Sequence, residues 1–532
     1  MTNKMNYAEL ADLSPFELKD KLIEAAQKTP DRLLLDAGRG NPNFLATLPR
    51  RAFLRLGDFA LEEAERSYSY INEGFGGIPH KKDIVGRFDA FAKENKHTEG
   101  VQFLQSAISY VKDQLGLDRE EFLHEMVNAW LGCNYPVPPR MLTSIEKIVN
   151  QYIGQEMYGN VALSNDFDLF ATEGGTAAMT YTFQTMFTNG LLKKGDKIAL
   201  TTPIFTPYLE IPGLAEYELE IVEIRLDEEK WQLPDSEIAK LEDPDIKLFC
   251  VVNPSNPSSV KFSDEVLGKI SDLVKNKRKD LFIVTDDVYA TFADNFVSLF
   301  AACPYNTLCV YSFSKYFGAT GWRLGVIGIQ HDNVFDDALK AKSEAHQLTL
   351  DERYKTLDPN PRGIRFIDRI VADSRTVALN HTAGLSLPQQ VQMALFSLSC
   401  LMDRGQSYKA AAKRIIRERY QTLYKNMNVD YAVNENAVDY YTLLDLDVLG
   451  VQMYGTDFVA WFKETGQGAE FLFRLADETG VVLLPGKGFD VQHGSVRVSL
   501  ANLTQNEYAK IGKLTRKVMD EYHAQFISAN KS

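Results

Sequence analysis

Between residues 134 and 330 the chain alternates short apolar runs with longer stretches of helical spacing. The runs are Asp168–Thr172, Lys197–Leu200, Lys247–Val252, Leu281–Val284 and Thr307–Tyr311. Runs this short, rich in β-branched and aromatic residues, read as buried strands. Strands that alternate with helices imply an α/β domain with a largely parallel sheet covered on both faces. In such sheets ligands gather beyond the carboxyl ends of the strands.

The flanking regions follow other patterns. Ser14, Pro15 and Glu17 supply an N-cap, a first-turn proline and a capping-box acid, which predicts a helix to about Lys28. Residues 51–132 read as helical and highly charged. A capping box at Asp118–Glu121 opens a helix with Phe122, Met126 and Trp130 on one face. No catalytic constellation stands out there, so structural or oligomer-forming helices are expected. A helix over about 141–155 precedes the first strand. Beyond 330, helical segments pass through Leu385–Gln390 to strands over Asp439–Asp445, Val481–Leu484 and Ser495–Ser499. Thr504–Glu507 then caps a long terminal helix. The division this predicts is an N-terminal segment of a small domain (1–50), a helical insertion (51–133), a large domain (134–395) and the rest of the small domain (396–532).

Composition narrows the function classes. A chain of 532 residues, 45% hydrophobic and 24% charged, can bury a large core and is ordinary for an enzyme. A net charge of −14 argues against nucleic acid as a partner, because phosphate binding needs a basic face. Cysteines 133, 250, 303, 309 and 400 form no CxxC pair, which suits a reducing cytoplasm and neither a disulfide framework nor a zinc site. The polar start of the sequence lacks a signal-peptide core, and no apolar run is long enough to span a membrane.

The strand ends carry the chemistry. After the first strand, Glu173–Ala178 is a glycine turn opening a helix, an arrangement that offers backbone N–H groups and a positive helix end to an anion. Later strands end in Pro203–Tyr208, Asn253–Ser258, Asp286–Tyr289 and Ser312–Lys315. A lysine at a strand end is a candidate for imine chemistry with a carbonyl cofactor. Gly318, Gly321 and Trp322 make a turn that can return Arg323 beside the hydroxyls of Ser312 and Ser314, and such a group suits a phosphate. Far upstream, Gly38 and Gly40 flank Arg39 on an irregular loop where backbone can approach a ligand.

These residues resemble the fold type I pyridoxal 5′-phosphate enzymes of the aspartate aminotransferase family, clearly over about 134–395 and through the small-domain strands beyond. The resemblance implies that Lys315 is the Schiff-base lysine and that Ser312, Arg323, Gly175 and Thr176 hold the phosphate. It further implies that Asp286 pairs with the ring nitrogen, while Asn256 and Tyr289 bond the phenolic oxygen. Phe205 would lie on the ring face, and Arg497 would take the substrate α-carboxylate. Tyr135 would reach the phosphate of a neighbouring subunit's cofactor, so a homodimer at least is implied.

Two departures refine this. Dicarboxylate aminotransferases clamp the distal carboxylate with an arginine shortly before a motif like Ser386–Pro388; here the nearest is Arg375, and residues 376–386 hold none. The Arg39 loop and the helical insertion resemble the aspartate β-decarboxylase branch. That branch implies conversion of L-aspartate to L-alanine and carbon dioxide with side transamination, in an assembly of dimers. For that reaction Arg39 is a candidate to position or polarise the other carboxylate. An aminotransferase acting on aspartate or another amino acid is the alternative.

Overall fold

The computed structural model describes residues 15–28, 33–71, 74–159, 161–162, 166–375, 382–431, 433–465 and 469–530. The expected cap at Ser14 and residues 376–381 before the Ser386–Pro388 motif lie outside them. In chain order the strands are β1 (Leu35–Asp36), β2 (Phe167–Thr172), β3 (Lys197–Thr202), β4 (Glu220–Arg225), β5 (Ile246–Val252) and β6 (Phe282–Asp286). They continue with β7 (Thr307–Ser312), β8 (Gly325–Gln330), β9 (Tyr441–Asp445), β10 (Val481–Val482), β11 (Leu484–Pro485) and β12 (Ser495–Ser499). The described chain gathers into two compact units, one from residues 45–196 and 270–409, the other from 1–44, 197–269 and 410–532.

In the first unit β6 pairs in parallel with β7, while β8 runs antiparallel to both β7 and β2. The pattern of apolar runs does not announce β8, because two of its six residues are glycines, which weaken a strand's local signal. Its pairing has a consequence for function. Ser312 and Thr172 both stand opposite Gly325, so the carboxyl ends of β2 and β7 meet the start of β8 at one edge. Every residue of β7 is buried, as an apolar central strand should be.

The same unit holds the helices Thr47–Ser67, Ile84–Glu94, Glu99–Asp113 and Arg119–Leu131. Asp118 caps the last of these by accepting from the Glu121 N–H at 2.9 Å. A Cβ at Gly57 would fall 2.1 Å from the Trp130 ring, so only glycine lets these two helices approach as they do.

In the second unit β3 lies in parallel between β4 and β5. The sequence reading passes over β4, where Glu220, Ile221 and Glu223 are exposed and only Ile224 is buried. A separate antiparallel sheet orders β11, β12 and β9, and β1 pairs in parallel with β10. A complete capping box between Thr504 and Glu507 opens the helix Gln505–Ala529, as expected. The described strands therefore make an α/β protein of mostly parallel strands with a smaller antiparallel sheet.

Candidate active site

In the first unit the turn after β7 forms a cradle. The Phe313 N–H donates to the Leu324 carbonyl at 3.0 Å, which folds the chain back and returns Arg323 towards the β7 end. Ser312 Oγ donates to Ser314 Oγ at 2.9 Å, and both serines are buried. Arg323 sits in the left-handed region (φ 55°) and donates from Nη2 to the Glu173 carbonyl at 3.2 Å. A Cβ on Gly174, whose φ is 93°, would come within 2.5 Å of that Nη2. The helix Gly175–Thr188 starts there with no side-chain cap, so its first N–H groups stay available to an anion. The structure thus places Arg323 and Ser312 around the Gly174–Gly175 turn, with Thr176 exposed on the first turn of the helix.

Asp286 ends β6, and its Oδ1 accepts from the Val288 N–H at 3.2 Å. Tyr289 follows, buried at the start of a short 3₁₀ turn. Lys315 is half-buried in the turn after β7. That turn is braced from the helix Thr47–Ser67. Arg50 donates to the carbonyls of Phe317 at 3.0 Å and Gly318 at 2.8 Å while stacking on Phe396. Sequence reasoning assigned no role to Arg50, and nothing in its local sequence distinguishes it from neighbouring helix charges. Tyr135 is 70% exposed.

Arg375 is committed elsewhere. Its Nη2 lies 3.3 Å from Glu173 Oε1 and donates to the Gly384 carbonyl at 3.1 Å, and its Nη1 reaches Tyr181. Glu173 also accepts from the Tyr181 hydroxyl at 3.0 Å. The guanidinium therefore ties the glycine turn to the approach of the Ser386–Pro388 motif.

In the second unit Arg497 is buried on β12, sandwiched between the rings of Tyr441 (4.2 Å) and Phe489 (4.6 Å). It donates to Asn256 Oδ1 at 3.0 Å and to the Gly38 carbonyl at 2.8 Å. With Oδ1 turned to Arg497, the Asn256 amide has N–H donors left for an external acceptor. Arg39 is exposed and paired with the buried Asp36 at 2.9 Å, while Asp36 also accepts from the Gly38 N–H. Phe205 is half-buried in a loop held by Thr206, whose hydroxyl donates to the Gly488 carbonyl at 3.0 Å. The two aromatic walls around Arg497 were not foreseen as such. Tyr441 lay in a segment read only as a strand, where alternation sends every second side chain to one face.

The family model for aminotransferase class I and II matches residues 137–512. The chain belongs to that family. A bifunctional aspartate aminotransferase and L-aspartate beta-decarboxylase of Pseudomonas is 56% identical over 527 residues, 99% of each chain. An aspartate/prephenate aminotransferase of Nitrosomonas europaea is 31% identical over 140 residues, 25% of this chain and 35% of its own. Among solved structures, the aspartate aminotransferase of Thermus thermophilus matches with a TM-score of 0.58 at 16% identity, over 97% of this chain and 100% of its own. That of Thermotoga maritima gives 0.55 at 17% identity, over 97% and 99%. These likenesses carry the fold type I architecture.

The family's cofactor is pyridoxal phosphate, and the residues present fit it. An uncapped helix start, two buried hydroxyls and a guanidinium match a dianionic phosphate. An acid, a buried tyrosine and a lysine follow on the neighbouring strand ends of the same unit. All five cysteines are free thiols. Among the described residues no helix is long and apolar enough to cross a membrane, and no cluster could hold a metal ion.

Proposed function

We propose that this protein is a pyridoxal-phosphate-dependent enzyme that releases the β-carboxylate of L-aspartate as carbon dioxide, forming L-alanine, with aminotransferase activity at the same site. The observation that carries this reading is the end-to-end likeness to the Pseudomonas protein, whose name joins the two activities. The commitment of Arg375 to Glu173 and Gly384 supports it, because a distal carboxylate held in a firm ion pair keeps its charge and resists leaving.

Lys315 would hold the cofactor, with Ser312, Arg323, Gly175 and Thr176 around the phosphate and Asp286 at the ring nitrogen. Asn256 and Tyr289 would hydrogen-bond the phenolic oxygen, and Phe205 would cover a ring face. Bound there, pyridoxal phosphate supplies a carbonyl that forms an imine with an amino group and a ring that accepts an electron pair. An ionised Asp286 keeps the ring nitrogen protonated and so keeps that acceptor strong. The Lys315 amine, once displaced by the substrate amino group, takes the proton from Cα and returns it. Arg497 holds the α-carboxylate, so the bond from Cα to that carboxylate is kept from the orientation that would break it. Arg39, whose charge is already shared with Asp36, would orient the second carboxylate without holding it in a full ion pair. Tyr135 serves the neighbouring subunit of a homodimer, the dimers assembling further, with the 51–133 helices as a structural insertion. The protein works in the cytoplasm on a small amino acid.

Lys315→Ala tests the scheme. It should abolish both carbon dioxide release and amino transfer, and substantial alanine formation by that variant would overturn it.

A further inference from the structure

Arg39 stands on a loop of the second unit that other residues pin on both sides of it. Before it, Asp36 Oδ1 accepts from the Gly38 N–H at 3.0 Å, and the Gly38 carbonyl accepts from Arg497 at 2.8 Å. After it, the Gly40 carbonyl accepts from the Tyr440 hydroxyl at 2.7 Å. Tyr440 comes immediately before β9 and is completely buried, and its own carbonyl accepts from the Leu500 N–H at 3.0 Å, just beyond β12. Burial holds its phenol well above the ordinary tyrosine value, so the hydroxyl stays protonated and able to donate. A buried ring tied through its own backbone is a rigid post. Arg39 itself is exposed and paired through Nε with Asp36 at 2.9 Å. Holding an exposed arginine in one place costs rotamer freedom, and the cost falls when the loop beneath it is already fixed. What Arg39 can do for a carboxylate therefore depends on where this loop puts it.

We propose that Tyr440 is a positioning residue: by holding the Gly40 carbonyl it aims Arg39 at the distal carboxylate, and so sets the share of L-aspartate that loses carbon dioxide against the share that undergoes amino transfer. The inference rests on the reading of Arg39 given above. The two carbonyls that frame Arg39 are held by residues with different tasks. Arg497 holds the one before it and takes the α-carboxylate, whereas Tyr440 holds the one after it through a single hydroxyl. Removing that hydroxyl loosens one side of the Arg39 loop and leaves the α-carboxylate its arginine.

Tyr440→Phe removes the hydroxyl and keeps the ring. It should lower carbon dioxide release from L-aspartate roughly two- to tenfold, the worth of one neutral hydrogen bond. Amino transfer from L-aspartate should change less, so the ratio of alanine formed to amino groups transferred falls. Two further readouts separate positioning from general damage. Exchange of the L-alanine Cα proton in deuterium oxide involves no distal carboxylate and should keep its wild-type rate. Succinate, a dicarboxylate with no amino group, should bind roughly two- to tenfold more weakly by calorimetry. A merely structural role would slow decarboxylation, amino transfer and exchange together. That result, an unchanged ratio or an unchanged succinate affinity overturns the inference. Arg39→Gln is measured beside it, alone and combined with Tyr440→Phe. Because the tyrosine acts through the arginine, the double variant should partition like Arg39→Gln alone, and effects that add overturn the inference. If Arg39→Gln shifts the ratio and Tyr440→Phe does not, the inference fails and the reading of Arg39 stands. If neither shifts it, the reading of Arg39 falls as well.

Discussion

Gly174 offers the sharpest test of the phosphate cradle. Its backbone, at φ 93° and ψ 175°, lies in a region that residues with a side chain occupy at a cost of order 1–3 kcal/mol. An added Cβ would stand 2.5 Å from Arg323 Nη2 and 3.0 Å from its Cζ, so in Gly174→Ala the guanidinium has to leave its place. A charge-assisted hydrogen bond of the kind Arg323 would give a phosphate is worth about 1.5–3 kcal/mol. At about 1.4 kcal/mol per decade, its loss weakens cofactor binding roughly 10- to 150-fold. The assay is titration of the apoenzyme with pyridoxal phosphate, for Gly174→Ala, Arg323→Ala and the double variant. Because the glycine acts through the arginine, the double variant should bind scarcely worse than Arg323→Ala alone. Wild-type affinity in Gly174→Ala, or losses that simply add, would refute the reasoning.

Other consequences follow from the same geometry. Arg497→Lys gives up the paired donors and the flat stack between Tyr441 and Phe489, so KM for L-aspartate should rise at least about tenfold while the cofactor absorption stays; an unchanged KM would contradict its assignment. Arg50→Met leaves the carbonyls of Phe317 and Gly318 without their donor and should cost roughly 2–4 kcal/mol, read as a lower urea midpoint; an unmoved midpoint would show that the brace is idle. Asp287 sets a pH dependence in the apoenzyme. Burial raises its carboxyl from 3.8 to about 7, so the folded state favours the protonated form, and this contribution is whole below about pH 4 and lost as pH rises through about 7. About three pH units correspond to up to about 4 kcal/mol, so the stability of Asp287→Asn should gain on the wild type across that window and level off above it; a constant difference would remove Asp287 as the cause.

Much of this was legible in the residues because the informative features are local. Asp286–Tyr289 and Ser312–Lys315 each follow a run apolar enough to be a strand, and the turn back to Arg323 is written in its glycines. The N-cap at Asp118 and the capping box at Thr504 were readable for the same reason, although Glu121 pairs with Lys81 and leaves the expected box at Asp118 half made. What escaped depends on contacts distant in sequence. β8 is defined by pairing with β2 and β7 and not by its own glycine-bearing residues. Arg50 matters because the chain folds back to Phe317 more than 260 residues away. Arg375 was set aside as a distal clamp by its distance from the Ser386–Pro388 motif, but the groups it binds instead, Glu173 and the Gly384 carbonyl, could be seen only in the fold. Asp287 was read only as part of the Asp286–Tyr289 strand end, and its complete burial, which sets it apart from Asp286, is a property of the fold.

The measurement that bears most directly on the whole account is incubation of the purified protein and pyridoxal phosphate with L-aspartate, following carbon dioxide and alanine with no oxo acid added. The account predicts equal amounts of both over many turnovers. Amino transfer only when an oxo acid is supplied, with no carbon dioxide released, would contradict it.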